Sequence, residues 1–301
     1  MIKRTLAEIA AMVDGSINEG FKDTLVSGVT NDTRKIEEGN LFVPLQGEHS
    51  NGHNHVETAF AQGAAASFWE SDAPNPPENR ALIFVKDSLK ALQQLSKAYL
   101  HELDAKVIGI TGSNGKTTTK DMTASIMKTK YRVHKTSGNY NNHIGLPLTI
   151  LSAPEDTEIL ILEMGMSSRG EISLLSQIGQ PDVAIITNIG EAHLLDLGSR
   201  EGIADAKMEI VEGLKKDGTF IFNGDEPLLL SRVSKHAYKQ ITFGSSMTND
   251  YYPVQSKAGE NEMEFTIDVD GHHPFILPLL GNHNVLNALA VIALCKYENI
   301  D

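Results

Sequence analysis

Thr111-Gly112-Ser113-Asn114-Gly115-Lys116-Thr117-Thr118 stands between an apolar run, Val107-Ile108-Gly109-Ile110, and a segment whose spacing predicts a helix over 116–128. A short continuous apolar run bounded by turn residues reads as a buried strand. The unit is therefore strand, glycine loop, helix. Gly112 and Gly115 let the backbone aim its amides at phosphate oxygens, and the helix start adds the positive end of its dipole. Lys116 is placed to reach terminal phosphates and Thr117 to offer a hydroxyl to Mg²⁺. The common phosphate loop is G-x-x-x-x-G-K-S/T, but Ile110 stands five residues before Gly115, so this loop is shorter. The guanine-reading motif Asn/Thr-Lys-x-Asp fails at its nearest match, Lys215-Lys216-Asp217, which Leu214 precedes. The expected nucleotide is ATP.

Outward from the loop the pattern repeats. Ile159-Leu160-Ile161-Leu162, Val183-Ala184-Ile185-Ile186 and Phe220-Ile221-Phe222 are further apolar strands separated by helical segments. Such alternation predicts an α/β domain, a mainly parallel sheet flanked by helices. Phe265-Thr266-Ile267-Asp268-Val269 alternates instead, and Asp270-Gly271 signals a turn, so a small antiparallel hairpin region is expected near the end. The first stretch, 1–86, holds short strands and turn-rich connections and reads as a small mixed α/β domain. Leu89, Leu92, Leu95, Tyr99 and Leu103 lie at helical spacing and are expected to open the second domain, 87–301. Thr5-x-x-Glu8 is a capping-box signature.

At 301 residues, 41% hydrophobic and 22% charged, the chain can bury a large core. Its 39 Asp plus Glu outweigh 26 Lys plus Arg, a net charge of −13 that argues against general nucleic-acid binding. The single Cys295, in an apolar run, excludes an internal disulfide and suits a reducing compartment. No apolar run of ~18 residues predicts a membrane span, and a cytoplasmic monomer is expected.

The loop resembles that of the Mur ligases, the ATP-dependent amide ligases of peptidoglycan precursor synthesis. Further blocks follow in that family's order: Asn139-Tyr140-Asn141-Asn142-His143-Ile144-Gly145-Leu146-Pro147, Glu163-Met164-Gly165, Thr187-Asn188-Ile189-Gly190-Glu191-Ala192-His193, Ala206-Lys207-Met208-Glu209 and Gly281-Asn282-His283-Asn284-Val285-Leu286-Asn287. Asp32-Thr33-Arg34 is similar to part of the family's nucleotide-sugar domain. Within the family, the blocks most resemble the last-acting member, which joins D-alanyl-D-alanine to UDP-N-acetylmuramoyl-tripeptide. The resemblance implies binding of that tripeptide substrate through Asp32, Thr33 and Arg34 at the UDP end, and through Asn139, Asn141 and Asn142 near the reacting carboxylate. It implies that His193 ligates a second metal, and that Lys207 carries a CO₂-derived carbamate serving that metal.

Read from the residues, Glu163 ends an apolar strand two strands away from the loop, where a carboxylate suits Mg²⁺; a solvated strand-end Glu is the plain alternative. Lys207 flanks the apolar stripe Ile203, Ala206, Ile210 and Leu214 and otherwise reads as a snorkelling surface lysine. Asn287, with His283 and Asn284, is the adenine-reading candidate, against a capping role. His49, His53 and His55 lack the partners of a tetrahedral metal set and are read as loop residues. Family members carry a C-terminal domain that brings the amine; the chain stops at Asp301, so binding with weak or no ligation is expected. The ligase adding the third peptide residue, a folylpolyglutamate synthetase and a non-catalytic nucleotide-binding module are the rival readings.

Overall fold

A computed structural model describes residues 1–18, 20–47, 50–233, 238–268 and 273–300. The chain divides into two compact units: 1–104 with 143–157, and 105–142 with 158–301.

In the first unit, five short strands form a sheet in the order Ser16–Ile17, Leu82–Val85, Ala66–Glu70, Leu41–Phe42, Val29–Thr30. All its pairings are parallel except the first. Phe42, Val56, Ala59, Trp69 and Leu82 make a core against it. Thr5 and Glu8 form the expected capping box at the start of helix Leu6–Met12. The helix Ser88–Leu103 begins at an Asp87 cap and ends at Asp104 in a left-handed conformation. It belongs to this unit rather than opening the second. Its buried Leu92, Leu95 and Tyr99 need an apolar partner, and the helix Gly145–Ser152 returns to supply one. The Tyr99 hydroxyl donates to the Ala153 carbonyl at 2.8 Å. Sequence order alone hid this return.

The second unit holds the parallel sheet, in the order Lys239–Phe243, Thr219–Asn223, Val183–Ile186, Lys106–Thr111, Ile159–Glu163, Val133–Lys135. Every pairing is parallel. Alternate residues of each strand point to opposite faces. Ile108, Ile110, Ile161 and Ile185 share one core with Ala124 and Met127 of helix Lys116–Met127 and Leu289 of helix Asn282–Tyr297. Leu162 and Gly109 meet Gly179 and Ile210 on the other. The edge strands Val133–Lys135 and Lys239–Phe243 escape the apolar-run criterion because they are short or mixed in polarity. Pro253–Ala258, Met263–Ile267 and Phe275–Leu277 form a three-stranded antiparallel sheet, while the Asp270-Gly271 turn lies outside the described residues. Among the described residues, no helix is long and apolar enough to cross a membrane.

The strand before the glycine loop, Lys106–Thr111, has Val183–Ile186 on one side and Ile159–Glu163 on the other. The chain order reverses there. Such a switch point opens a crevice at the carboxyl ends of the strands, where open α/β sheets bind ligands.

Candidate active site at the switch point

Three strand ends build the crevice. From the first, Thr111 is fully buried and its hydroxyl donates to the Met164 carbonyl at 2.8 Å. Gly112 follows at φ +150°, where a Cβ would collide with the Thr187 hydroxyl. Gly115 caps the helix at φ +80° and packs against the Asn287 side chain, which a Cβ would also strike. Glycine is required at both positions by conformation and by space.

The strand Val183–Ile186 sends its following residues across the loop. The Ser113 amide donates to Asn188 O at 3.1 Å, and the Gly190 amide donates to Ser113 Oγ at 2.8 Å. Asn188 accepts from the Asn114 amide at 3.0 Å and donates from Nδ2 to the Asn114 carbonyl at 3.0 Å. The Thr187 hydroxyl adds a bond to the same carbonyl at 2.5 Å. The glycine loop is thus held from outside itself. Thr187 and Asn188 were not among the expected site residues, although both lie in a family block.

Strand Ile159–Glu163 pairs directly with Lys106–Thr111, with Glu163 opposite Ile110. It is the loop's neighbour, not two strands away, because the intervening chain goes to the sheet edge as Val133–Lys135. Glu163 is 3% exposed. The Thr117 hydroxyl donates to its Oε2 at 3.0 Å and Asn141 Nδ2 donates to its Oε1 at 2.9 Å. Its own amide donates to Thr136 Oγ1 at 3.0 Å. Lys120 Nζ lies 3.6 Å from Oε2, and this lysine is buried as deeply as the glutamate. A carboxylate and a hydroxyl side by side are the hard oxygen donors that suit Mg²⁺ next to phosphate. Asn141, expected to touch substrate, spends its amide orienting Glu163. Lys120 escaped the sequence reading because helical spacing shows a shared face but not what faces it, and Thr136 because it follows a short edge strand.

Lys116 folds back over the loop, its ammonium donating to the carbonyls of Gly112 at 2.8 Å and Ser113 at 3.3 Å. Burial lowers its pKa, and Glu163 opposes the shift. Lys207 is 2% exposed, at the end of helix Arg200–Met208, and is no snorkelling surface residue. Lys207 faces inward within the α-helix Arg200–Met208, and the expected helix continues beyond it as the 3₁₀ segment Glu209–Glu212. Glu209 accepts from the amides of Gly170 and Ser173, and Ser176 donates to the Ile210 carbonyl at 2.5 Å. Burial, reinforced by the charge of Lys116, brings the Lys207 pKa down to about 7.

His193 adopts φ +67° at the start of the turn Leu194–Leu197, with Nδ1 3.7 Å from Asp196. Among the described residues, no three His, Cys, Asp or Glu side chains gather as a metal-holding group. Asn284 donates to the Leu280 carbonyl at 2.9 Å, and His283 is exposed beside Gly281. Asn287 is buried against Gly115 rather than presented to solvent. An apolar cavity of about 630 Å³ flanks the loop helix, lined by Thr118, Met122, Phe265, Leu277, Ala288 and Ile292.

In the first unit, Asp32 accepts from the Arg34 amide at 3.0 Å and pairs with its guanidinium at 2.8–2.9 Å, spanning the turn Thr33–Lys35. This pairing holds the Asp32 carboxyl down at about 2. His53 bonds Asn51 Oδ1 and accepts from the Glu70 amide, its ring edge-on to Trp69. His49 lies outside the described residues.

The chain matches the Mur ligase middle domain over residues 110–295 and the catalytic domain of the Mur ligase family over residues 25–100. It is 56% identical, over its whole length, to the UDP-N-acetylmuramoyl-tripeptide–D-alanyl-D-alanine ligase of Bacillus subtilis (strain 168), and spans 65% of that relative. It is similar in structure to MurF from Acinetobacter baumannii, with a TM-score of 0.92 and 30% identity, covering all of this chain and 66% of that one. MurF from Thermotoga maritima in complex with ADP matches at a TM-score of 0.83 and 30% identity, covering 92% of this chain and 64% of that one.

Proposed function

The chain belongs to the Mur ligase family, and we propose that it serves the ATP-dependent joining of D-alanyl-D-alanine to UDP-N-acetylmuramoyl-tripeptide in peptidoglycan precursor synthesis. The observation that carries this reading is the Thr117 hydroxyl on the buried Glu163 carboxylate beneath a glycine loop. ATP supplies the phosphoryl group that turns the tripeptide carboxylate into an acyl phosphate; the dipeptide amine then attacks the acyl carbon, forming the amide bond as inorganic phosphate leaves and the amine loses its proton. The relatives named for this reaction support it over the rival substrates.

Within that reaction the residues mostly position and stabilise charge. The ammonium of Lys116 leaves the Gly112 and Ser113 carbonyls for phosphate oxygens, a stronger, charge-assisted exchange. The loop amides complete the cradle. Thr117 and Glu163 would hold Mg²⁺, which neutralises charge on the phosphates. His283, Asn284 and Asn287 are assigned to the adenine end, Asp32, Thr33 and Arg34 to the UDP end, and Asn139 and Asn142 to the peptide end.

Lys207 is suited to carboxylation, because a pKa of about 7 leaves much of its amine neutral at physiological pH. The neutral amine adds CO₂ and releases a proton, and the resulting carbamate places an anion facing Lys116. With His193 it would serve a second metal. ¹³C-bicarbonate should give a carbamate resonance that Lys207→Met abolishes; its absence from the unmodified chain overturns this role.

Calorimetry tests the main reading. The chain should bind ADP with Mg²⁺, and bind UDP-N-acetylmuramoyl-tripeptide at least tenfold more tightly than the corresponding dipeptide or a folate. Equal binding of GDP, or preference for the dipeptide, would overturn it.

A further inference from the structure

Lys120 is an ammonium with 3% exposure on the helix that follows the glycine loop. It lies three residues after Thr117 and four after Lys116, so all three share one face of helix Lys116–Met127. Thr117 and Lys120 converge on one oxygen, Oε2 of Glu163, at 3.0 and 3.6 Å, while Asn141 holds the other. Behind Lys120, Asp121 lies 3.5 Å away, and Asp121 in turn pairs with Lys135 at 2.6 Å. The four side chains alternate in sign from the half-exposed Lys135 to the buried Glu163.

An apolar side chain would fill the Lys120 position at lower desolvation cost, so the charge itself needs a reason. Glu163 is dry and has no other cation within ion-pair distance among the described residues. We propose that Lys120 is a positioning residue, a fixed internal cation that aims the Glu163 carboxylate at the mouth of the glycine loop before a divalent metal and nucleotide arrive. Asp121 and Lys135 anchor it. The proposal rests on the reading of Glu163 as the metal-facing carboxylate.

The test is a double-mutant cycle read by Mn²⁺ binding at saturating ADP, using calorimetry and the Mn²⁺ paramagnetic resonance signal. Lys120→Met should weaken Mn²⁺ at least tenfold when Glu163 is present and less than twofold in the Glu163→Gln background. Lys120→Arg should recover affinity to within threefold of the parent. Lys120→Gln carries the cycle should Lys120→Met fail to fold. Equal weakening in both backgrounds, or none, overturns the positioning role. Undiminished Mn²⁺ binding by Glu163→Gln alone overturns the underlying reading instead.

Discussion

Two charged turns, one in each unit, are built in opposite ways. At 32–34, Arg34 has an 87% exposed side chain, yet its own neighbour Asp32 already takes its guanidinium. At the glycine loop, Lys207 is buried and Lys116 half-buried, and among the described residues neither makes a salt bridge. One turn cancels its charge locally; the other holds positive charge without a carboxylate partner in ion-pair reach. A phosphate reaching the loop displaces bonds to neutral carbonyls, whereas one reaching Arg34 competes with a carboxylate.

Removing the loop's positive charge should have the largest effect. Lys116→Ala is expected to weaken ADP binding about a hundredfold, in line with the ~2–5 kcal/mol lost on truncating one partner of a hydrogen-bonded charge pair. Calorimetry reads it, and near-normal affinity would break the contrast. Lys207 should reveal itself through pH. Its folded pKa, about 7, lies below the ordinary lysine value, so the unfolded chain binds the extra proton between the two. Burying the ammonium therefore destabilises fully below about pH 7, and the penalty fades as pH rises toward the unfolded pKa. Lys207→Met should stabilise the fold by a few kcal/mol at pH 6, at ~1.4 kcal/mol per pKa unit, and by progressively less at pH 8 and 9 in urea titrations. A pH-independent difference would show that the lysine is not desolvated.

Gly112→Ala comes next. Its φ of +150° and the Thr187 hydroxyl both oppose a Cβ, and a loss of about 2 kcal/mol is expected by urea unfolding. At the opposite turn the effects are smaller. Asp32→Ala removes a cap and should cost about 1 kcal/mol. Arg34→Ala should leave the urea midpoint essentially unchanged, as loss of an exposed pair does, while weakening UDP-sugar binding only severalfold.

The same contrast explains what the sequence disclosed. Lys116 and Thr117 were legible because their chemistry is contiguous: strand, glycines, lysine and hydroxyl occupy one short stretch. The buried strands and the helix Ser88–Leu103 were legible from apolar spacing. Lys120 was not, because its partner lies 43 residues on and only the sheet brings Glu163 beside the loop. The burial of Lys207 was hidden too, since spacing places it beside the apolar stripe of its helix but does not show what packs over it. Asn141 and Asn287 read as free amides in the sequence, and only the fold shows that one bonds Glu163 and the other packs against Gly115.

The return of 143–157 to the first unit means that the polypeptide passes from one unit to the other three times, after residues 104, 142 and 157. A fragment ending at 104 would forfeit the Leu151 carbonyl that accepts from the Ile2 amide, together with the apolar cover of Tyr99. A fragment beginning at 105 would carry 143–157 with the apolar helix Gly145–Ser152 stripped of its partner helix, sticky and uncovered. Anyone dividing this protein for separate expression should splice the segment out of one piece and into the other, because neither half is a continuous stretch of gene.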